Sequence, residues 1–157
     1  MISRCLKKDK QVVKVKTDLI NTNIPWLYLA LGVTQAAHSV EEVLTGLWKT
    51  LPVVTGFLNS RTGWVPVLAW SAEGFAAANL IIVTLLLGFS PFPFQNRTWA
   101  WKVAGVVAAV EILNGFGHMI AALFTQGYFS GCISAFFLFV IGVLILMHLR
   151  RKNAKQS

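Results

Sequence analysis

Four apolar stretches alternate with short polar, proline-marked or glycine-marked breaks along the chain. They fall at about Ile24–Trp48, Trp64–Gly88, Trp99–Phe124 and Cys132–Leu149. Each approaches or exceeds the ~20 residues an α-helix needs to cross ~30 Å of hydrocarbon at ~1.5 Å per residue. Pro25 suits a helix start, where a missing N–H costs nothing. Trp26, Tyr28 and Trp48 suit the boundary between water and hydrocarbon. Residues 49–63, with Pro52, Gly56, Asn59 and Gly63, read as a loop. Trp64 and Pro66 open the second span. Ser90-Pro91-Phe92-Pro93 closes it, because proline cannot continue a helix and restricts the residue before it. Gly127 and Gly131 bracket the last turn. The pattern predicts an all-α fold: a four-helix transmembrane bundle over residues 23–149, with a basic N-terminal segment at 1–22 and a basic tail at 150–157. Segment 1–22 fits either a short surface helix, with Ile2, Leu6, Val13 and Ile20 toward lipid, or disordered chain. The long apolar stretch behind it reads as a retained signal anchor, not a cleaved leader.

Composition agrees with the pattern. Of 157 residues, 55% are hydrophobic and 13% charged, about half the charged share of soluble domains. The net charge of +8 sits mostly at the ends. Arg4, Lys7, Lys8, Lys10, Lys14 and Lys16 crowd one terminus, and Arg150, Arg151, Lys152 and Lys155 the other. That distribution speaks for cytoplasmic flanks beside anionic lipid and against a nucleic-acid partner. Arg97 and Lys102 join them if the second connection is also inside, leaving only Lys49 and Arg61 outside. The expected topology is N-in and C-in, and the expected location a bacterial cell membrane. Cys5 and Cys132 have no metal or redox spacing, and the topology sets them at opposite faces.

Polar residues inside the spans change the picture. Four of the six acidic residues and two of the three histidines lie there: Glu41, Glu42, Glu73, Glu111, His38 and His118. A carboxylate in hydrocarbon costs roughly 2.5–3.5 kcal/mol or more, so such groups mark function by default. On the first helix Thr34, His38, Glu41, Glu42 and Thr45 fall at helical spacing, with both carboxylates on the histidine's side. On the third, Glu111, Asn114 and His118 make one stripe. On the second, Glu73 is flanked by Ser71, Ala72, Gly74, Ala76, Ala77 and Ala78, small residues that let a neighbouring helix approach. Counting along the helices sets His38, Glu73 and His118 roughly 10–15 Å below one surface and Glu111 near roughly 20 Å. The fourth span carries no acid. Ser134 is its main polar residue, and the span reads as a packing element.

Three chemistries fit such a cluster. Two imidazoles and several carboxylates can hold one or two metal ions of the zinc, iron or manganese kind. Without metal, the same groups make an acid–base pocket for an isomerase, a cyclase or a proton-coupled carrier. The plainest alternative is a neutralised hydrogen-bond network that only pins helices, at a heavy cost in a membrane. In the metal reading His38, Glu42 and His118 are the first ligands, and Glu73 and Glu111 the next. Glu41 is then a general base or a ligand of a second metal, and Asn114 orients His118 or holds a substrate oxygen.

His38-Ser39-Val40-Glu41-Glu42 resembles the signature of the HXXEE-motif family of small integral membrane proteins. Asn114-x-x-x-His118 is similar to that family's second histidine and its polar neighbour. Tyr128-Phe129-Ser130-Gly131 is similar to its Tyr-x-Pro-Gly turn, with Ser130 where proline would stand. The likeness runs from about residue 27 to residue 147. It implies a membrane protein whose activity the family itself does not define. Other membrane hydrolase patterns fail. His38 has no histidine four residues on, as zinc proteases require, and Gly46 stands where the Glu-Glu-x-x-x-Arg pattern of prenyl-protein proteases needs arginine. No Gly-x-Ser-x-Gly elbow or phosphate-binding glycine loop occurs. The expected function is a membrane-embedded, metal-dependent enzyme, foremost a hydrolase. Its substrate is lipid-like or membrane-resident, and its partners are the bilayer and, in an oligomer, its own copies.

Overall fold

A computed structural model describes the backbone of residues 2–154 and the side chains of residues 23–154. The expectations for the side chains of residues 1–22 lie outside that range. The chain is all-α. α1 runs Ile2–Thr45, α2 Leu47–Thr62, α3 Ala72–Phe89, α4 Pro91–Phe94, α5 Thr98–Thr125 and α6 Cys132–Asn153. Among the described residues three helices are long and apolar enough to cross a membrane: Ala72–Phe94, Thr98–Thr125 and Cys132–Asn153. α1 is not among them, because Gln35, His38, Glu41 and Glu42 dilute its apolar run.

Two boundaries differ from the sequence pattern. Residues 49–63 are not a loop. Gly46, in the left-handed region at φ 75°, ends α1, and the chain re-enters a helix at once and carries it through Pro52. Nor does the second span begin at Trp64. Residues 63–71 are non-helical and are tied back onto α2. Thr55 Oγ1 accepts from the Leu68 amide at 2.9 Å, and Asn59 Nδ2 donates to the Val65 carbonyl at 2.7 Å. Pro66 disfavours helix in the residue before it. The helix starts only where Ser71 caps it, its hydroxyl accepting from the Gly74 amide at 3.0 Å. The proline-marked close behaves as expected: α3 stops at Phe89 and Pro91 opens the single turn of α4. α5 and the start of α6 match their expected limits within a residue.

α6 packs against both α5 and α1, and α3 packs on the far side of α1. Small residues permit the closest approaches. A Cβ on Gly142 would stand 2.9 Å from the Ala108 carbonyl oxygen, and one on Gly115 only 2.5 Å from that of Ala135. Ile24, Leu31, Trp101, Ala108, Leu138 and Ile145 form the buried apolar core. Outward, Leu80, Leu85, Leu113, Leu123 and Phe136 are exposed, a surface suited to lipid and not to water. The gap between α3 and α5 is an open cleft, with the polar residues at its floor.

Candidate metal centre

His38 and Glu42 lie one turn apart on α1, so both point the same way. His118 comes from α5. Glu42 Oε1 stands 3.1 Å from His38 Nε2 and 3.1 Å from His118 Nε2. The imidazoles meet edge to face, 4.8 Å between centroids at 85°. His38 is fully buried, and Glu42 and His118 are each 7% exposed. One ligand atom from each residue can be chosen so that all lie within 4.8 Å of one another. Tetrahedral donors at bond lengths of ~2.1 Å sit about 3.4 Å apart, so the spacing suits a shared ion.

Proton positions follow from the partners of the outer ring nitrogens. His118 Nδ1 lies 2.7 Å from the Ser130 carbonyl oxygen, which can only accept. Nδ1 therefore donates to it, which leaves Nε2 to face Glu42. His38 Nδ1 lies 2.9 Å from Ser134 Oγ. The Ser134 hydroxyl donates its own proton to Glu41 Oε2, so it accepts from His38. Both outer nitrogens are thus occupied as donors, and both Nε2 atoms converge on one oxygen of the Glu42 carboxylate. With the rings neutral, two lone pairs would face that oxygen, an arrangement that a cation at its centre would hold together. Each imidazole also has the outer partner that metal-bound histidines use, a backbone carbonyl for one and a serine–carboxylate relay for the other.

The chain around Gly131 closes the site. Its φ of 83° favours glycine, and a Cβ there would meet His38 Cε1 at 2.9 Å, Glu42 Cγ at 3.0 Å and His118 Cε1 at 3.0 Å. The group therefore fills the space up to the backbone of the α5–α6 turn.

The remaining sequence candidates divide. Glu111 is buried beside the group, and Asn114 links it in: Nδ2 is 3.3 Å from Glu111 Oε2 and 3.3 Å from His38 Nε2. Asn114 serves His38, not His118 as expected. Glu41 turns away from the imidazoles. Its oxygens accept from Tyr128 Oη at 2.7 Å, the Ile133 amide at 3.3 Å and the Ser134 amide at 2.9 Å, as well as from the Ser134 hydroxyl. Gly131 offers α6 no side-chain cap, so Glu41 caps that helix from α1, its charge at the positive end of the helix dipole. This differs from a general base or a second-metal ligand: the carboxylate is already committed to four donors. Desolvation first, and then the hydrogen bond to Glu41, push the Tyr128 phenol above its ordinary value. Glu73 is not brought to the group. It is exposed in the first turn of α3, because that helix starts at Ala72 and the residue never reaches the expected depth.

Ser134 of α6, with Ser130 and Gly131 before it, supports the site although α6 carries no carboxylate and its histidine, His148, lies near the far end, which corrects its reading as a mere packing element. Ser39 donates to Asn79 Oδ1 of α3 at 2.8 Å, and Gln35 Nε2 reaches Ser39 Oγ at 3.4 Å. The i, i+4 spacing of Gln35 and Ser39, beside that of His38 and Glu42, is the signal that finds them. A cleft of about 800 Å³ runs past Gln35 and Glu42 of α1, Phe75 and Asn79 of α3, and Glu111 and Asn114 of α5.

No protein-family model, curated protein or solved structure matches the chain. Fold and site by themselves define a class: a helical protein with, among the described residues, three helices fit to cross a membrane and a buried His–His–Glu group able to hold a metal ion.

Proposed function

We propose that the chain is an integral membrane hydrolase of lipid-like or membrane-resident substrates, with a divalent ion held by His38, Glu42 and His118. The single observation that carries this reading is the convergence of His38 Nε2 and His118 Nε2 on one oxygen of the buried Glu42 carboxylate. His38, Glu42 and His118 would hold the ion with three protein ligands, the number that catalytic zinc-type sites use. Such an ion supplies Lewis acidity at neutral pH. The chain supplies the rest. Ser134 and Ser130 fix the tautomers, Gly131 and the α5–α6 turn close one side, and Glu42 and Glu111 border the cleft. Glu111, held by Asn114 and free of other commitments, is the group placed to take and return a proton. Zinc, iron and manganese all suit two imidazoles and a carboxylate.

The same reading takes residues 24–45 of α1 as a fourth crossing, with both termini in the cytoplasm of a cell-membrane protein. α1 tolerates its polar face there because that face meets α3, α5 and α6 instead of lipid. Membership of the HXXEE-motif family belongs to this reading too. His38, Glu41 and Glu42 then have separate tasks: ligand, helix cap and ligand.

Elemental analysis of the detergent-purified full chain tests it. Wild type is expected to hold a divalent ion at one per chain, and His38→Ala and His118→Ala to lose it. Wild type without stoichiometric metal sinks the metalloenzyme. The two Nε2 atoms must then carry protons toward Glu42, and the acid–base or proton-carrier reading takes its place.

A further inference from the structure

The cleft between α3 and α5 has walls and a floor of opposite character. Its walls are apolar and partly exposed: Ile82 and Leu86 on α3, Val106 and Val110 on α5. Both helices are long and apolar enough to cross a membrane, so in a bilayer the gap between them would lie at hydrocarbon depth and open sideways to lipid. Its floor is polar, with Gln35, Glu42, Asn79, Glu111 and Asn114. Three features of that floor select a head group. Among the described residues no lysine, arginine or histidine lines the cleft. Of its two carboxylates, Glu42 is met by His38 and His118, and Glu111 by Asn114. Gln35 is buried and its Oε1 has no hydrogen-bond partner, a vacancy that calls for a donor.

We infer that this cleft binds an uncharged single-chain amphiphile, with its tail between α3 and α5 and a hydroxyl-bearing head at Gln35, Glu111 and Asn114. As a statement about substrate, this rests on the hydrolase reading; as a statement about binding, it rests on the cleft alone. A phosphate or free carboxylate head would lie against the Glu111 carboxylate, which Asn114 meets but no basic side chain of the cleft lining offsets. A hydroxyl donates to the unpartnered Gln35 carbonyl and to Glu111, and an ester oxygen of the same head lies next to Glu42. The space, about 800 Å³, is within the range that takes one small amphiphile. A second copy of the chain fits the walls less well, since a helix inserted there leaves the polar floor unmatched.

Fluorescence binding with two pyrene-tailed probes of equal chain length tests this: a monoacylglycerol and a lysophosphatidic acid. The uncharged probe is expected to bind the full-length protein in nanodiscs about tenfold or more tighter than the anionic one. Val110→Trp and Ile82→Trp fill the cleft from opposite walls, so misfolding of one does not remove the test. Each is expected to weaken the uncharged probe by about tenfold. Phe137→Trp, on the exposed outside of α6, is expected to leave binding unchanged. Metal content, measured on the same samples, is expected to match wild type throughout. Equal binding of the two probes, or wild-type binding by both cleft-filling variants, overturns the inference. So does a dimer that the tryptophans dissociate without changing probe binding. Selective binding by a protein that holds no metal would instead leave the cleft in place and remove the enzyme.

Discussion

α5 passes through two regions built on different terms. Along its first half Ala100, Ala104 and Ala108 are buried, and the Ala108 backbone nearly touches Gly142 of α6. Along its second half Gly115 keeps the backbone close to Ala135 of α6, while Glu111, Asn114 and His118 reach toward α1 across a wider gap that side chains bridge. The first region holds helices by shape. In a bilayer, lipid tails are as apolar as leucine, so close small-residue contacts and not exclusion of water supply that attraction. The second region holds helices by a bridge of donors and acceptors. The comparison teaches that stability and chemistry are separable here: one end can be damaged while the other keeps its geometry.

The sharpest way to break that separation is Gly131→Val, which strikes the polar region and the backbone together. The new side chain would collide with all three members of the His–His–Glu group and strain a left-handed φ. Loss of metal and destabilisation by about 3 kcal/mol or more are expected, read by elemental analysis and thermal unfolding in detergent. Gly142→Leu attacks only the apolar region. It should cost about 2–3 kcal/mol in the same unfolding measurement, while the folded fraction keeps its metal. Metal lost in proportion to stability would show that the halves are one unit. Ser134→Ala does the reverse. It removes the acceptor of His38 Nδ1 and a donor of Glu41, so metal affinity should fall about 10–100-fold by chelator competition, with a stability loss near 1 kcal/mol. The smallest effect is expected from Glu73→Gln. An exposed carboxylate outside both regions should change stability by less than about 0.5 kcal/mol and leave metal content alone.

How far the sequence could be read depended on the distance over which each signal acts. α5 and α6 were legible to within a residue at the limits their punctuation marks, because long apolar runs between glycines and prolines are local signals. His38, Glu42 and His118 were legible because a buried carboxylate or imidazole is costly wherever it sits. Glu73 misled for an equally physical reason. Its small neighbours fit helix contact, but its depth hung on where α3 starts, and hydrogen bonds from α2 to residues 65 and 68 decide that. Glu41 misled because a carboxylate one position along a helix points about 100° away, here toward the uncapped start of α6.

Composition and helical period alone determined an all-α chain with long apolar helices, and put histidines and carboxylates on the inward faces of α1 and α5. Only the tertiary structure decided that Glu42 joins the imidazoles while Glu41 caps a helix, that Ser130 of the α5–α6 turn and Ser134 of α6 meet the outer ring nitrogens, and that a cleft opens between α3 and α5. The period of a helix fixes which residues share a face. The partner of that face comes from another part of the chain, and no local pattern encodes its distance, its register or the direction of a proton.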